Sequence, residues 1–335
     1  MLFAAIFTPL LVAAAPMVTS AQSATSAPAA SAAPIVTTPP AADAANIALS
    51  ETIAQRVGDR IWPDWSKTKF AIDLLTANGP VEVNFDQPIP VPSFPPQLEA
   101  SFPFSNGVPT IVIGEPQFTQ AKTPIRWSVT LLHEHFHQWQ YSWPQYNTSV
   151  KNLGLAPPGD TDAMWMLNYP FPYSDAAIGA AYSVMTHRLA EAVRGIGTPA
   201  FGAQFRSYLV GRKQFAAMLK PNDYKYFAFQ CWQEGTARYT EIAVARAAAG
   251  EHARDASFLN DDQAVALAQD AQHTYSRVLA QLEEQAPLAN DERSNFYAVG
   301  AAEALLLDRV SPGWHQRYLG PRMDLSAFFR VRNRR

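Results

Sequence analysis

The stretch PIRWSVTLLHEHFHQWQYSW, residues 124–143, decides how the rest of the chain reads. Thr123 before it suits a helix N-cap, and Pro124 suits the first helical position, where no N–H is needed. Pro144 closes the stretch. The spacing predicts one helix of about five turns. Within it, His133-Glu134-His135-Phe136-His137 fits His-Glu-x-x-His. Each helical residue advances about 100°, so His137 lies about 40° round from His133, one turn along. Two imidazoles so placed can share one tetrahedral metal. Glu134 falls about 60° beyond His137, close enough to reach a water beside the metal without replacing it. That is the arrangement of a zinc hydrolase with a carboxylate general base. His135 lies about 200° round, on the opposite face, and is expected to pack or cap locally. The apolar residues Val129, Leu131 and Leu132 argue that the helix is packed into a core.

A second stretch, Gln233-Glu234-Gly235-Thr236-Ala237-Arg238-Tyr239-Thr240-Glu241, fits a third ligand. Glycine in a helix interior costs about 1 kcal/mol relative to alanine, so Gly235 implies a close approach to its backbone. A neighbouring helix or the metal helix itself would account for it. Glu234 and Glu241 are seven positions apart and share a face to within about 20°. A carboxylate ligand backed by a supporting carboxylate is one use for the pair.

Taken together, His133-Glu134-x-x-His137-Gln138-Trp139 and Glu234-Gly235-x-Ala237-x-Tyr239-x-Glu241 resemble the two zinc motifs of the gluzincin aminopeptidases. The resemblance implies that His133, His137 and Glu234 bind Zn2+, that Glu134 is the catalytic base and general acid, and that Glu241 supports the site. It also implies a later-helix tyrosine or histidine that steadies the oxyanion. Tyr297 is the candidate for that catalytic role, with a core tyrosine as the alternative. Departures accompany it. His137 and Glu234 stand 97 positions apart, whereas the family keeps its motifs close together. Arg238 occupies the position four after Glu234, an aspartate in thermolysin-like members. The Gly-x-Met-Glu-Asn element that grips an amino terminus is missing, so the chemistry carries over and aminopeptidase specificity does not.

Working outward, Asn46 to Ile61 reads as a first helix. Phe70 to Leu75 and Val81 to Phe85 read as strands about Asn78-Gly79, a hairpin signal. The proline-dense span from Gln87 to Phe104 reads as irregular. Val108 to Ile113 reads as a strand, and Pro109 places it at a sheet edge, where it either covers the helix or receives an extended peptide. Trp165, Tyr169, Phe171 and Tyr173 form an aromatic wall or lid, or else cover a core. Helices follow at Asp175 to Gly195, Ala200 to Leu219, Asn222 to Ala249, Asp261 to Gln285 and Arg293 to Val310. The fold class is α+β and mostly helical: a zincin-like small twisted sheet packed on the metal helix, then a helical C-terminal part. One domain spans 46–335, with its sheet in about 62–118 and its helices in about 123–330.

Residues 1–21 read as a signal peptide, since Leu2 to Ala15 is apolar apart from Thr8. The run is short and broken by Pro9 and Pro16, which argues against a membrane anchor. Residues 22–45 read as a disordered Ala/Pro/Ser linker. A secreted or periplasmic location follows. With 335 residues and 48% apolar content, a sizeable core is available. Net charge is −3 without a basic stripe, which excludes nucleic acid as a partner and leaves a peptide or protein substrate. The one cysteine, Cys231, excludes an internal disulfide and reads as a small buried residue. His187, His252, His273 and His315 read as structural or exposed. A di-iron carboxylate site would need a second Glu-x-x-His, for which Asp270-x-x-His273 is a poor substitute. The competing class is a non-catalytic protein of the same fold that grips peptide or cell-wall polymer. An intact Glu134 argues for the enzyme.

Overall fold

Helix α1 spans Ala41–Val57 in the computed structural model, which describes residues 38–86, 93–103, 107–160, 163–284 and 286–329. The expected signal, 1–21, and linker residues 22–37 lie outside the described residues. The expected linker end is corrected, because α1 starts five residues before Asn46. Ala41, Ala42, Ala44 and Ala45 have the highest helix propensity, and Pro40 precedes them without interrupting. Ile47, Ile53 and Val57 bury the inner face.

Strands β1 (Ile72–Thr76) and β2 (Gly79–Val83) form the expected hairpin. Thr76 pairs with Gly79, so the two-residue loop is Ala77-Asn78, and Gly79 follows it at φ +114°, where glycine is at ease. Strand β3 (Glu99–Phe102) lies inside the span read as irregular, and β4 (Thr110–Gly114) follows. The sheet order is β2-β1-β4-β3, with β4 parallel to β1 and antiparallel to β3. The edge assignment for Val108 to Ile113 is therefore wrong. Pro109 falls just before β4 and leaves its ladder intact, and β3 is the edge. Glu-Ala-Ser-Phe has no β-branched residue to announce a strand; pairing along β4 makes it one. Ile72, Leu74, Ile111 and Ile113 face the helices, while Leu75 and Val112 face the other side with Leu98.

Helix α2 (Pro124–Tyr141) is the metal helix of the sequence reading, ending two residues early at Ser142. Thr123 caps it, its hydroxyl accepting from Arg126 N–H at 3.2 Å. Every residue from Trp127 to Gln140 is buried, because α1, the sheet and later helices enclose this helix on all sides. Short helices α3 (Tyr146–Asn152) and α4 (Trp165–Asn168) precede α5 (Ala176–Arg194) and α6 (Phe201–Met218). The expected helix from Asn222 to Ala249 is three pieces: α7 (Pro221–Gln230), a π-helical turn (Cys231–Gly235) and α8 (Thr236–His252). Helices α9 (Asp261–Glu283) and α10 (Asn295–Val310) complete the bundle, α9 opening with an Asn260/Gln263 capping box. The fold is thus mostly helical α+β, with one small mixed sheet.

Two further expectations resolve here. The backbone that approaches Gly235 belongs to α10: a Cβ at Gly235 would sit 2.4 Å from Gly300 Cα. The aromatic residues of 165–173 form core cover. Trp165 packs on Phe229, Tyr169 on Tyr226, and Phe171 and Tyr173 on Phe296, and none of them lines the cleft described next.

Candidate metal centre

His133 and His137 reach the same point because α2 sets them one turn apart, with ring centroids 5.0 Å apart. Glu234 arrives from the π-helical turn, 97 residues on. Such turns occur within α-helices often at functional sites. The ligating atoms of His133, His137 and Glu234 lie within 4.8 Å of one another, and His137 Nε2 is 3.6 Å from Glu234 Oε2. Two ligands about 2.1 Å from a tetrahedral ion stand about 3.4 Å apart, so the trio is nearly sized for one. These three residues can hold a metal ion.

Both imidazoles are oriented through Nδ1. His133 Nδ1 is 2.7 Å from Glu241 Oε1, and His137 Nδ1 is 2.6 Å from Gln140 Oε1. A carboxylate and an amide oxygen only accept, so each Nδ1 carries the proton and each Nε2 lone pair is left for a metal. Glu241, buried, also accepts from Arg126 Nη2 and, at 3.1 Å, from Arg238 Nη1. Burial alone would raise its pKa, but Arg126 and Arg238 hold it well below the ordinary carboxylate range. Gln140 Nε2 donates to Tyr318 Oη at 2.7 Å, and Tyr318 donates in turn to Trp232 O at 2.5 Å. Each ligand histidine therefore rests on a hydrogen-bonded chain, not on packing alone.

Glu234 and His137 perturb each other. Burial opposes the charged imidazole, yet the neighbouring Glu234 carboxylate raises His137 to about 9. Burial likewise opposes the Glu234 charge, and His137 overcomes it, holding Glu234 well below the ordinary range. An ion between them would take the place of that proton.

Glu134 lines the same cleft, and its Oε2 is buried without a hydrogen-bond partner. An orphaned buried carboxylate oxygen is costly unless a ligand or water completes it. Its backbone carbonyl accepts from Ser101 Oγ of β3 at 2.8 Å, which ties the helix to the sheet edge here. Tyr297 also lines the cleft. Its hydroxyl accepts from Arg293 Nη1 and hydrogen-bonds Glu234. Burial raises its pKa further above the ordinary tyrosine value, so the phenol keeps its proton. The Gly235–Gly300 crossing puts it there: Gly235 follows Glu234, and Gly300 stands one turn after Tyr297.

His135 points away from the trio, stacked on Phe70 at 4.2 Å and Trp65 at 5.4 Å, with burial lowering it to about 4. Cys231 is fully buried, and burial raises its thiol well above the ordinary value. His273, read as structural or exposed, instead lines the cleft with Asp270. The sequence reading also missed Arg126, Gln140 and Arg277. Arg126 and His133 are seven apart on one helix face, and Gln140 follows His137 by three, so spacing held a signal for both.

No family model, curated protein or solved structure matches this chain.

Proposed function

We propose that the chain is a secreted or periplasmic zinc-dependent hydrolase, a metallopeptidase of zincin-like fold and divergent gluzincin type. One observation carries the reading: the His133, His137 and Glu234 ligating atoms converge in a cleft that also receives the unpartnered carboxylate oxygen of Glu134. Two imidazoles and a carboxylate are a ligand set that suits Zn2+. Zinc so bound supplies Lewis acidity, lowering the pKa of water towards about 7 and polarising a carbonyl. Glu134 takes the proton from the attacking water and delivers it to the leaving amine. Tyr297, protonated, donates to the developing oxyanion. Among the described residues β3 pairs only with β4, and Glu99 of β3 lines the cleft. An extended peptide can therefore add along this edge beside Glu134. The long spacing between His137 and Glu234 is filled by α3 to α7, a helical insert in the gluzincin pattern.

The test is Glu134→Gln, nearly isosteric. Bound zinc and cleavage of a mixed peptide pool are measured together. Zinc stays near one per chain while cleavage falls at least about 10²-fold. His137→Ala loses zinc and cleavage together. A wild-type protein that binds zinc and cleaves nothing, or a Glu134→Gln variant as fast as wild type, returns the chain to the binding class.

A further inference from the structure

The cleft, about 580 Å³, extends well past the metal trio. Its far half is built by three helices. Asp270, His273 and Arg277 come from one face of α9, Arg126 from α2 and Arg238 from α8. The ion pairs in this half are specific. Arg126 engages both Glu241 and, at 3.1 Å, Asp270, and it donates to Thr274 Oγ1 at 3.1 Å. Arg238 engages Glu241 at 3.1 Å. Three guanidinium groups therefore line this half with two carboxylates, which leaves one positive charge, before His273 is considered. At the rim, Lys122 and Glu99 offset one another. Burial, then the repulsion of Arg238 and Arg126, lowers the pKa of Arg277 from its ordinary value, the mark of a site where one more anion is welcome.

We propose that Arg277, with Arg238 and His273, forms a subsite that binds a carboxylate of the substrate, to one side of the metal trio. The inference rests on the hydrolase reading for its purpose, since it names which substrates that cleft prefers. A single excess charge is balanced by a monoanion, and the planar guanidinium fork matches a carboxylate in two parallel hydrogen bonds. A carboxylate can come from a peptide C-terminus or from an Asp or Glu side chain. A cleft with this sign is also ill-suited to a substrate amino terminus, in keeping with the missing amine-gripping element.

The experiment uses zinc-loaded Glu134→Gln protein, so that capture is read without turnover. It is offered matched short-peptide pools in two arms: free C-terminus against C-terminal amide, and Glu against Gln at one internal position. Captured peptide is quantified by mass spectrometry. One arm favours the acid by about 10- to 100-fold, the range for a charge-assisted bidentate pair, and that arm identifies the source. Adding Arg277→Gln brings the ratio towards one with zinc still near one per chain, Arg277→Lys keeps part of the preference, and Arg277→Glu turns it towards Lys-bearing peptides. No acid preference in either arm, or a preference that survives Arg277→Gln, overturns the subsite. The hydrolase reading fails separately: wild-type protein that cleaves neither pool while the capture ratio holds loses the enzyme and keeps the subsite. Cleavage without acid preference does the reverse.

Discussion

Replacing Glu241 with glutamine tests whether the metal centre is held from behind. The amide oxygen of Glu241→Gln can still accept from His133 Nδ1, 2.7 Å away in the wild type, so the ring orientation largely survives. What disappears is the charge shared by His133, Arg126 and Arg238. Breaking a buried pair typically costs about 3–5 kcal/mol. Here Arg126 keeps Asp270 at 3.1 Å, and the Arg238 side chain is 28% exposed and can turn to water. The lower end, about 3 kcal/mol of stability, is therefore expected. Loss of a partner behind a ligand histidine weakens metal binding by about 10- to 100-fold. Zinc affinity is measured by competition with a chromogenic chelator at neutral pH, and stability by denaturant unfolding of the metal-free protein. Because the folded-state pKa of Glu241 is depressed, its stabilisation is present above the unfolded value of about 4.3 and is lost as pH falls below it. The variant should accordingly lose less stability on acidification than wild type. A variant with reduced stability and zinc affinity within about twofold of wild type would falsify the orienting role and leave Glu241 a buried counter-ion.

Gly300→Ala would place a methyl 2.2 Å from Cys231 O and 2.7 Å from Gly235 Cα, both backbone atoms, so α10 must move away from the π-helical turn. A cost of about 1–3 kcal/mol or more is expected, read as a lower Tm together with weaker zinc binding, since Glu234 and Tyr297 flank the crossing; unchanged zinc binding would show that the crossing does not position them. In the metal-free protein, His137 is raised to about 9, so its contribution is full below the unfolded value of about 6.5 and is lost as pH rises towards 9. Unfolding of the metal-free protein should become easier across that window, and zinc uptake at neutral pH should release a proton, measurable by calorimetry in buffers of different ionisation enthalpy. Zinc binding without proton release would contradict a protonated His137 in the free site.

The sequence alone determined what a single helix determines. The cap at Thr123, the length of α2, the shared direction of His133 and His137, and the exclusion of His135 all follow from a fixed advance per residue. The same local rule put Glu234 and Glu241 on one face and chose Glu241 as a partner for a ligand histidine. Gly235 announced a close backbone approach, because a glycine inside a helix needs a reason. The sequence could not say that the approaching backbone is α10 through Gly300, for that depends on which helices cross. Nor could it find β3, whose residues have little strand preference and become a strand only by pairing with β4, and so it placed the wrong strand at the edge. The aromatic residues of 165–173 looked like a lid because composition reports apolar area and not which surface it covers. Arg126, His273 and Arg277 sit on three elements' worth of long-range packing around one cleft, so their common destination is a tertiary fact. Local geometry is encoded in neighbouring residues; the meeting of α2, the π-helical turn, α9 and α10 is set by burial across the whole core, and only the folded chain decides it.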